Sequence, residues 1–450
     1  MRRNIFVVLI VILLVLSAGH VDDDRAEYRK RLNEFKDNQA FDYFQLGKWA
    51  LENKLFGPAK LYLNRALEFK PGYPEAKELL SSGMSGALPN NYFEAVKECR
   101  KKVYEVEQKC ANRLMDLVKY CKDKKLDTEK NFCLDEALRR EPDCKSAHEE
   151  KGEVRIDNFG WLPATNAGNI QKGLYEYKGK WLPKNEVEKL RIKWDDAWDF
   201  KSDHYSLKAN IPFKKALETL KNLEYFYDVV VNIFYGIEGF STQNCRIFNV
   251  YYLKNLGEFI SVTGQKDSLG YFNRFSKTAY VWEFEKNVNE IRQRGSTEQE
   301  ILFHEGTHQL LELIMNSYNS PDAPNYWVVE GIACYFETLR NIKGTAVFGN
   351  KIARFFECKD NVNKKNYRHL KDFVKLTHDE IEADSNNHAQ ALGLTLYFMK
   401  HKKYQLRFLE YIIQVYQTGG NLESDFEGFM SIDNIDTIEK EWIEFVKREM

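Results

Sequence analysis

The thirteen residues ILFHEGTHQLLEL at 301–313 constrain this chain more tightly than any other stretch. His304 and His308 are four apart, and at about 3.6 residues per turn a helix stacks both imidazoles on one face. Ile301, Leu302, Leu310, Leu311, Leu313 and Ile314 surround them. Such a helix belongs inside a domain, where ring nitrogens without partners are costly. One metal ion would satisfy both rings at once and leave the neighbouring Glu305 free. Just upstream, Ser296 with Gln299, or Thr297 with Glu300, supplies the capping box that starts the helix.

A catalytic metal site takes a third protein ligand and keeps one position open. The stretch WVVEGIACYFE at 327–337 offers Glu330. The intervening residues cover a helix end, a loop with Pro321 and Pro324, and the first turn of a second helix, so the chain can double back. HEGTH and WVVEGIACYFE together resemble the gluzincin clan of zinc metallopeptidases. The likeness is greatest to the peptidase MA-like domains of exported bacterial proteins, often joined to tetratricopeptide repeats. It covers roughly residues 200–450.

The resemblance implies zinc held by His304, His308 and Glu330, with Glu305 as general base. Glu337, two turns beyond Glu330 on the same face, would support a ligand. The clan also places an oxyanion donor on a later helix; the matching region here offers His388 as catalytic residue, with Tyr397 the second choice. The G-A-M-E-N signature that binds a substrate amino terminus is absent upstream of His304, which argues against aminopeptidase specificity. Clan members bind extended substrate along an edge strand, a role this reading gives to residues 278–282.

With 450 residues, of which 43% are hydrophobic, the chain can build two or three globular domains. Sixty-six basic against 67 acidic residues leave no field that would select nucleic acid or an anionic membrane. Arg2 and Arg3 precede an apolar run at 5–16 and small residues at 17–19, the pattern of a signal peptide over 1–19. Twelve apolar residues fall short of the ~20 a membrane span needs, so no stable span is expected after cleavage. An exported, periplasmic or extracellular protein follows.

Residues 20–150 read as an all-α helical region. Leu46, Gly47, Ala59, Ala66 and Pro71 fall at tetratricopeptide-like offsets, and Ala137 and Pro142 repeat the last pair. Residues 151–200 read as a small β-rich connector in which Trp-Leu-Pro occurs at 161–163 and again at 181–183, with the Trp residues packed inward. Residues 201–450 form the peptidase-like domain: strands at 204–213 and 246–253, a helix at 214–234, a hairpin turning at 274–277, and helices at 386–401, 404–418 and the C-terminus. The fold class is α+β, mainly helical.

Cys99, Cys110 and Cys121 recur at eleven-residue steps on one helix face, and a hairpin centred on Asp127 pairs Cys121 with Cys133 and Cys110 with Cys144 as expected disulfides. The sequence thus points to an exported zinc-dependent metallopeptidase acting on a peptide or protein substrate, with helical repeats that can hold a protein partner. The alternative is a tetratricopeptide-type binding or assembly protein whose peptidase-like domain is inactive.

Overall fold

The computed structural model describes residues 2–84, 89, 92–156, 159–237, 239–240, 242, 247–266, 268–284, 297–315, 324–343, 345–420, 422 and 425–450. The fold is α+β and mainly helical, in two compact units: Met1–Ile156 with Trp161–Ala167, and Asp157–Gly160 with Gly168–Met450.

The first unit is built from α1 (Arg2–Glu52), α2 (Phe56–Phe69), α3 (Pro74–Ser81), α4 (Tyr92–Asp123), α5 (Asp127–Arg140) and α6 (Lys145–Glu150). The signal-peptide expectation falls on residues 1–19, whose side chains lie outside the described residues. Among the described residues no helix is long and apolar enough to cross a membrane. The α1–α2 and α4–α5 hairpins are copies in the same register, 71 residues apart. Lys54 and Lys125 both take a left-handed φ (58° and 56°) to turn the corner. Leu55 N–H then donates to Ala50 and Leu126 N–H to Cys121, each at 2.8 Å. At the far end the carbonyls of Ala66 and Ala137 accept the closing N–H of Lys70 and Glu141 at 2.9 Å. Ala59 and Ala66 are fully buried and Leu63 packs directly over Gly47, so these small residues let the helices approach as their spacing implied.

The disulfides expected from the α4–α5 hairpin are not formed. Cys110, Cys121, Cys133, Cys144, Cys334 and Cys358 are buried free thiols, Cys99 is buried, and Cys245 lies outside the described residues. The hairpin does bring Cys110, Cys121, Cys133 and Cys144 into one core with Leu114, Leu117 and Leu134. In the inner pair, Cys133 Sγ takes the Tyr28 hydroxyl of α1 as its partner at 3.6 Å. Cys144, at the start of α6, has its Sγ 3.4 Å from Ser146 Oγ. Burial pushes Cys110 and Cys121 up to about 12, which keeps both protonated and unreactive.

The connector repeats one motif. Strands β1 (Glu153–Ile156) and β2 (Gly160–Pro163) precede α7 (Ala164–Gln171); β3 (Leu174–Tyr177) and β4 (Lys180–Pro183) precede α8 (Lys184–Leu190). Trp161 is packed, stacking on His148 at 4.2 Å while its Nε1 donates to Asp143 at 3.0 Å.

In the second unit a five-stranded sheet supports the site: β5 (Trp198–Lys201), β6 (Tyr205–Ala209), β7 (Phe248–Leu253), β8 (Gly270–Asn273) and β9 (Thr278–Trp282), in the order β5-β6-β7-β9-β8. Helix α9 (Phe213–Phe234) joins β6 to its parallel neighbour β7, and α10 (Leu256–Thr263) follows β7. Residues 278–282, expected at the edge beside the metal, are instead interior. β9 pairs in parallel with β7 (Val250 opposite Ala279) and antiparallel with β8 (Ala279 opposite Phe272), which leaves β8 at the edge.

Helices α11 (Glu298–Met315) and α12 (Tyr326–Glu337) lie beyond the sheet, followed by the hairpin β10 (Arg340–Ile342) and β11 (Thr345–Val347). The chain closes with α13 (Ala353–Lys364), α14 (Leu370–Phe373), α15 (His378–Glu382), α16 (Ser385–Lys400), α17 (Gln405–Thr418), α18 (Phe426–Met430) and α19 (Ile435–Glu449). Gln309 fastens α11 to the sheet by donating to the carbonyls of Asn249 and Lys277 at 2.8 and 2.9 Å. Phe303 stacks on Phe226 of α9 with centroids 4.7 Å apart.

Candidate metal centre

Helix α11 begins with the Thr297–Glu300 capping box: Thr297 N–H donates to the Glu300 carboxylate at 2.9 Å and Glu300 N–H to Thr297 Oγ1 at 3.3 Å. The alternative cap, Ser296, lies outside the described residues. Thus started, the helix buries every residue from 300 to 312 except Glu305, which faces a cleft. Helix α12 is buried along its whole length. Gly331 lets it approach α16, because a Cβ there would sit 2.4 Å from Thr395 Oγ1 and 3.1 Å from the Ala391 carbonyl oxygen. That closeness brings Glu330 against His388.

His304, His308 and Glu330 converge. The two Nε2 atoms are 3.2 Å apart, His304 Nε2 is 3.3 Å from Glu330 Oε2, and His308 Nε2 is 3.5 Å from Glu330 Oε1. Metal bonds of about 2.0–2.1 Å at tetrahedral angles would separate donor atoms by about 3.3–3.4 Å, which is close to the spacing of the two ring nitrogens and of each from one Glu330 carboxylate oxygen. These buried groups could hold a metal ion. The ring orientation agrees: Glu337, 1% exposed, accepts a hydrogen bond from His304 Nδ1–H at 2.7 Å, which turns the Nε2 lone pair inward. Arg354 Nε in turn donates to the Glu337 carboxylate at 3.1 and 3.2 Å.

Electrostatics agree with a cation at this point. Burial alone would raise the Glu330 carboxyl, but His308, His304 and His388 outweigh it and hold it well below the usual range. Burial likewise opposes charge on His304, yet Cys334, Glu330 and Glu337 together raise it well above an ordinary imidazole.

Two other groupings adjoin the first: His304 with Cys334 and Glu337, and His388 with Glu330 and Glu382. Cys334 and Glu337 serve the Nδ1 side of His304. Burial pushes the Cys334 thiol up to about 11, leaving it a packing group and weak hydrogen-bond partner.

Glu305 and His388 both line the cleft, which has a volume of about 1190 Å³. Glu305 lies beside the edge strand, where a Cβ on Gly270 would come within 2.8 Å of its Cγ; only glycine leaves the carboxylate this space. Burial raises the Glu305 carboxyl, with His304 and His308 pulling it down. His388 Nε2 lies 3.5 Å from Glu330 Oε2 and 3.1 Å from Glu382 Oε1. Tyr397 is elsewhere, its hydroxyl donating to Glu441 at 2.5 Å. Sequence reasoning missed Arg354, Glu382 and a further cluster in which Arg274 donates to the Tyr326 hydroxyl at 3.1 Å and pairs with Glu312 at 2.8 Å. Tyr326 stands one helical turn before Glu330, a spacing that could have drawn notice; Arg354 carried no such signal.

No family model matches the chain, and no curated protein matches it.

Proposed function

We propose that this chain is a zinc-dependent metallopeptidase of gluzincin type, with His304, His308 and Glu330 as zinc ligands. The observation carrying the proposal is the donor set: two imidazole nitrogens and a carboxylate at tetrahedral spacing, with a carboxylate-backed histidine, beside a cleft-facing Glu305 that is not one of the three. Structural zinc sites favour cysteine-rich closed tetrahedra, and this set is neither. When bound, zinc lowers the pKa of a water molecule toward about 7 and polarises a carbonyl.

The remaining work falls to the chain. Glu305 accepts the proton of the attacking water at its carboxylate and returns it to the leaving amine. His388 donates from Nε2, the ring nitrogen that lies 3.1 Å from Glu382 and 3.5 Å from Glu330, toward the oxygen that gains charge in the transition state. The exposed edge of β8 accepts substrate backbone in extended form, and β8 residues line the cleft. The duplicated helical hairpins are suited to holding a protein partner or part of a large substrate. On its N-terminal sequence the protein is assigned to the periplasm or the extracellular space.

The test is elemental analysis of purified protein together with mass spectrometry of a mixed peptide pool incubated with it. The expected result is about one zinc per chain, with cleavage that a chelator abolishes and zinc restores. A chain that binds no zinc, or that leaves every peptide intact when loaded, contradicts the proposal.

A further inference from the structure

Phe275 occupies the tip of the turn between β8 and β9, and its ring is 95% exposed. Its backbone is nevertheless held on every side. Asn273 Oδ1 accepts the N–H of Phe275 at 2.9 Å and of Ser276 at 3.0 Å. The preceding Arg274 is anchored by Tyr326 and Glu312, and the Lys277 carbonyl accepts from Gln309 on the metal-site helix. Tight turns are normally made from polar residues, and folding buries almost none of this ring. Stability therefore gives no reason for a phenylalanine here.

Phe356 raises the same question. It lies on α13 and is 55% exposed, whereas its neighbour Phe355 is buried and supplies the contact with the core. A single exposed apolar side chain is ordinary on a protein surface. These two line the one cleft that also contains His304 and Glu305.

We infer that Phe275 and Phe356 grip a large apolar side chain of an extended peptide lying along β8, which makes them specificity-determining residues; this rests on the peptidase reading of the site. The occupant follows from the surroundings. Among the described residues β8 pairs only with β9, so its outer edge can take a further strand. A strand added there projects alternate side chains to opposite faces of the sheet, and the cleft that β8 lines is also lined by Phe275. Both rings lie in a concave cleft, a form that suits a peptide better than a flat lipid surface.

The test uses full-length zinc-loaded protein carrying Glu305→Gln, so that binding is read without turnover. Fluorescent peptides of equal length, differing only in having Phe, Leu, Ala, Lys or Glu at one position, are titrated by anisotropy. Phe and Leu peptides should bind tightest; Phe275→Ala and Phe356→Ala should each weaken them roughly tenfold, leave the Ala peptide nearly unchanged, and Phe275→Leu should recover most of the loss. Equal weakening of all peptides, or no apolar preference in the parent, overturns the inference. So does an unchanged peptide ranking accompanied by reduced partitioning of Phe275→Ala onto phosphatidylglycerol vesicles, which would assign the ring to a membrane surface. Wild-type hydrolysis of the same peptides is measured in parallel. No cleavage with the ranking intact removes the peptidase reading and keeps the apolar site; cleavage with a flat ranking does the reverse.

Discussion

Replacing Glu337 by Gln changes one charge and almost no volume at a site where both neighbours are defined. The carboxylate accepts hydrogen bonds from His304 Nδ1–H at 2.7 Å and from Arg354 Nε at 3.1 and 3.2 Å, while itself 1% exposed. Burial works against its charge, but Arg354 and His304 prevail and keep Glu337 below the ordinary carboxylate range, so a full negative charge faces the imidazole. A glutamine oxygen can still accept the Nδ1 proton, but the ring loses the charge that makes Nε2 a stronger donor. Changes to such supporting carboxylates typically cost 10- to 100-fold in metal affinity, or about 1.4–2.7 kcal/mol. Competition with a chromophoric chelator measures this directly, with Glu330→Ala as the reference for loss of a true ligand. Unaltered affinity in Glu337→Gln would show that the negative charge behind His304 does not strengthen its Nε2 as a donor. A loss as large as that of Glu330→Ala would make Glu337 a ligand and the assignment of supports and ligands wrong.

Other consequences follow from the same packing. Gly331→Ala places a methyl group 2.4 Å from Thr395 Oγ1 and 3.1 Å from the rigid Ala391 carbonyl; it should cost about 1–3 kcal/mol in denaturant unfolding and weaken zinc binding by shifting Glu330. His388→Gln should lower kcat by about 10²–10³ while zinc content and KM hold steady, and an equal loss of zinc would make His388 a ligand. Leu63→Ala, in the buried seam of the first helical hairpin, should destabilise the protein by about 2–5 kcal/mol with zinc affinity unchanged.

What the sequence disclosed was local. The capping box at Thr297, the pairing of His304 with His308 and the turn at 274–277 depend on residues a few positions apart, where helical period and turn chemistry decide the outcome. Glu330 was legible because only one short excursion separates its helix from the first. Arg354, Glu382 and Arg274 were not, since each reaches the site from an element whose position depends on the packing of the whole unit. Strand order was hidden for a related reason: alternation marks β8 and β9 as strands but does not say which one lies against β7. The cysteine expectation treated α4 and α5 as an isolated pair, and Tyr28 of α1, more than a hundred residues away from Cys133, was the omitted neighbour.

The central claim is that Glu305 performs chemistry at a metal it does not bind. Zinc stoichiometry and cleavage of one peptide substrate, measured side by side on the wild type and on Glu305→Gln, test it most directly. The account predicts about one zinc per chain in both and a rate at least 10²-fold lower in the variant, since the ligands are untouched and the base is gone. Loss of zinc from Glu305→Gln to the level of His304→Ala, or cleavage at an undiminished rate, would contradict it.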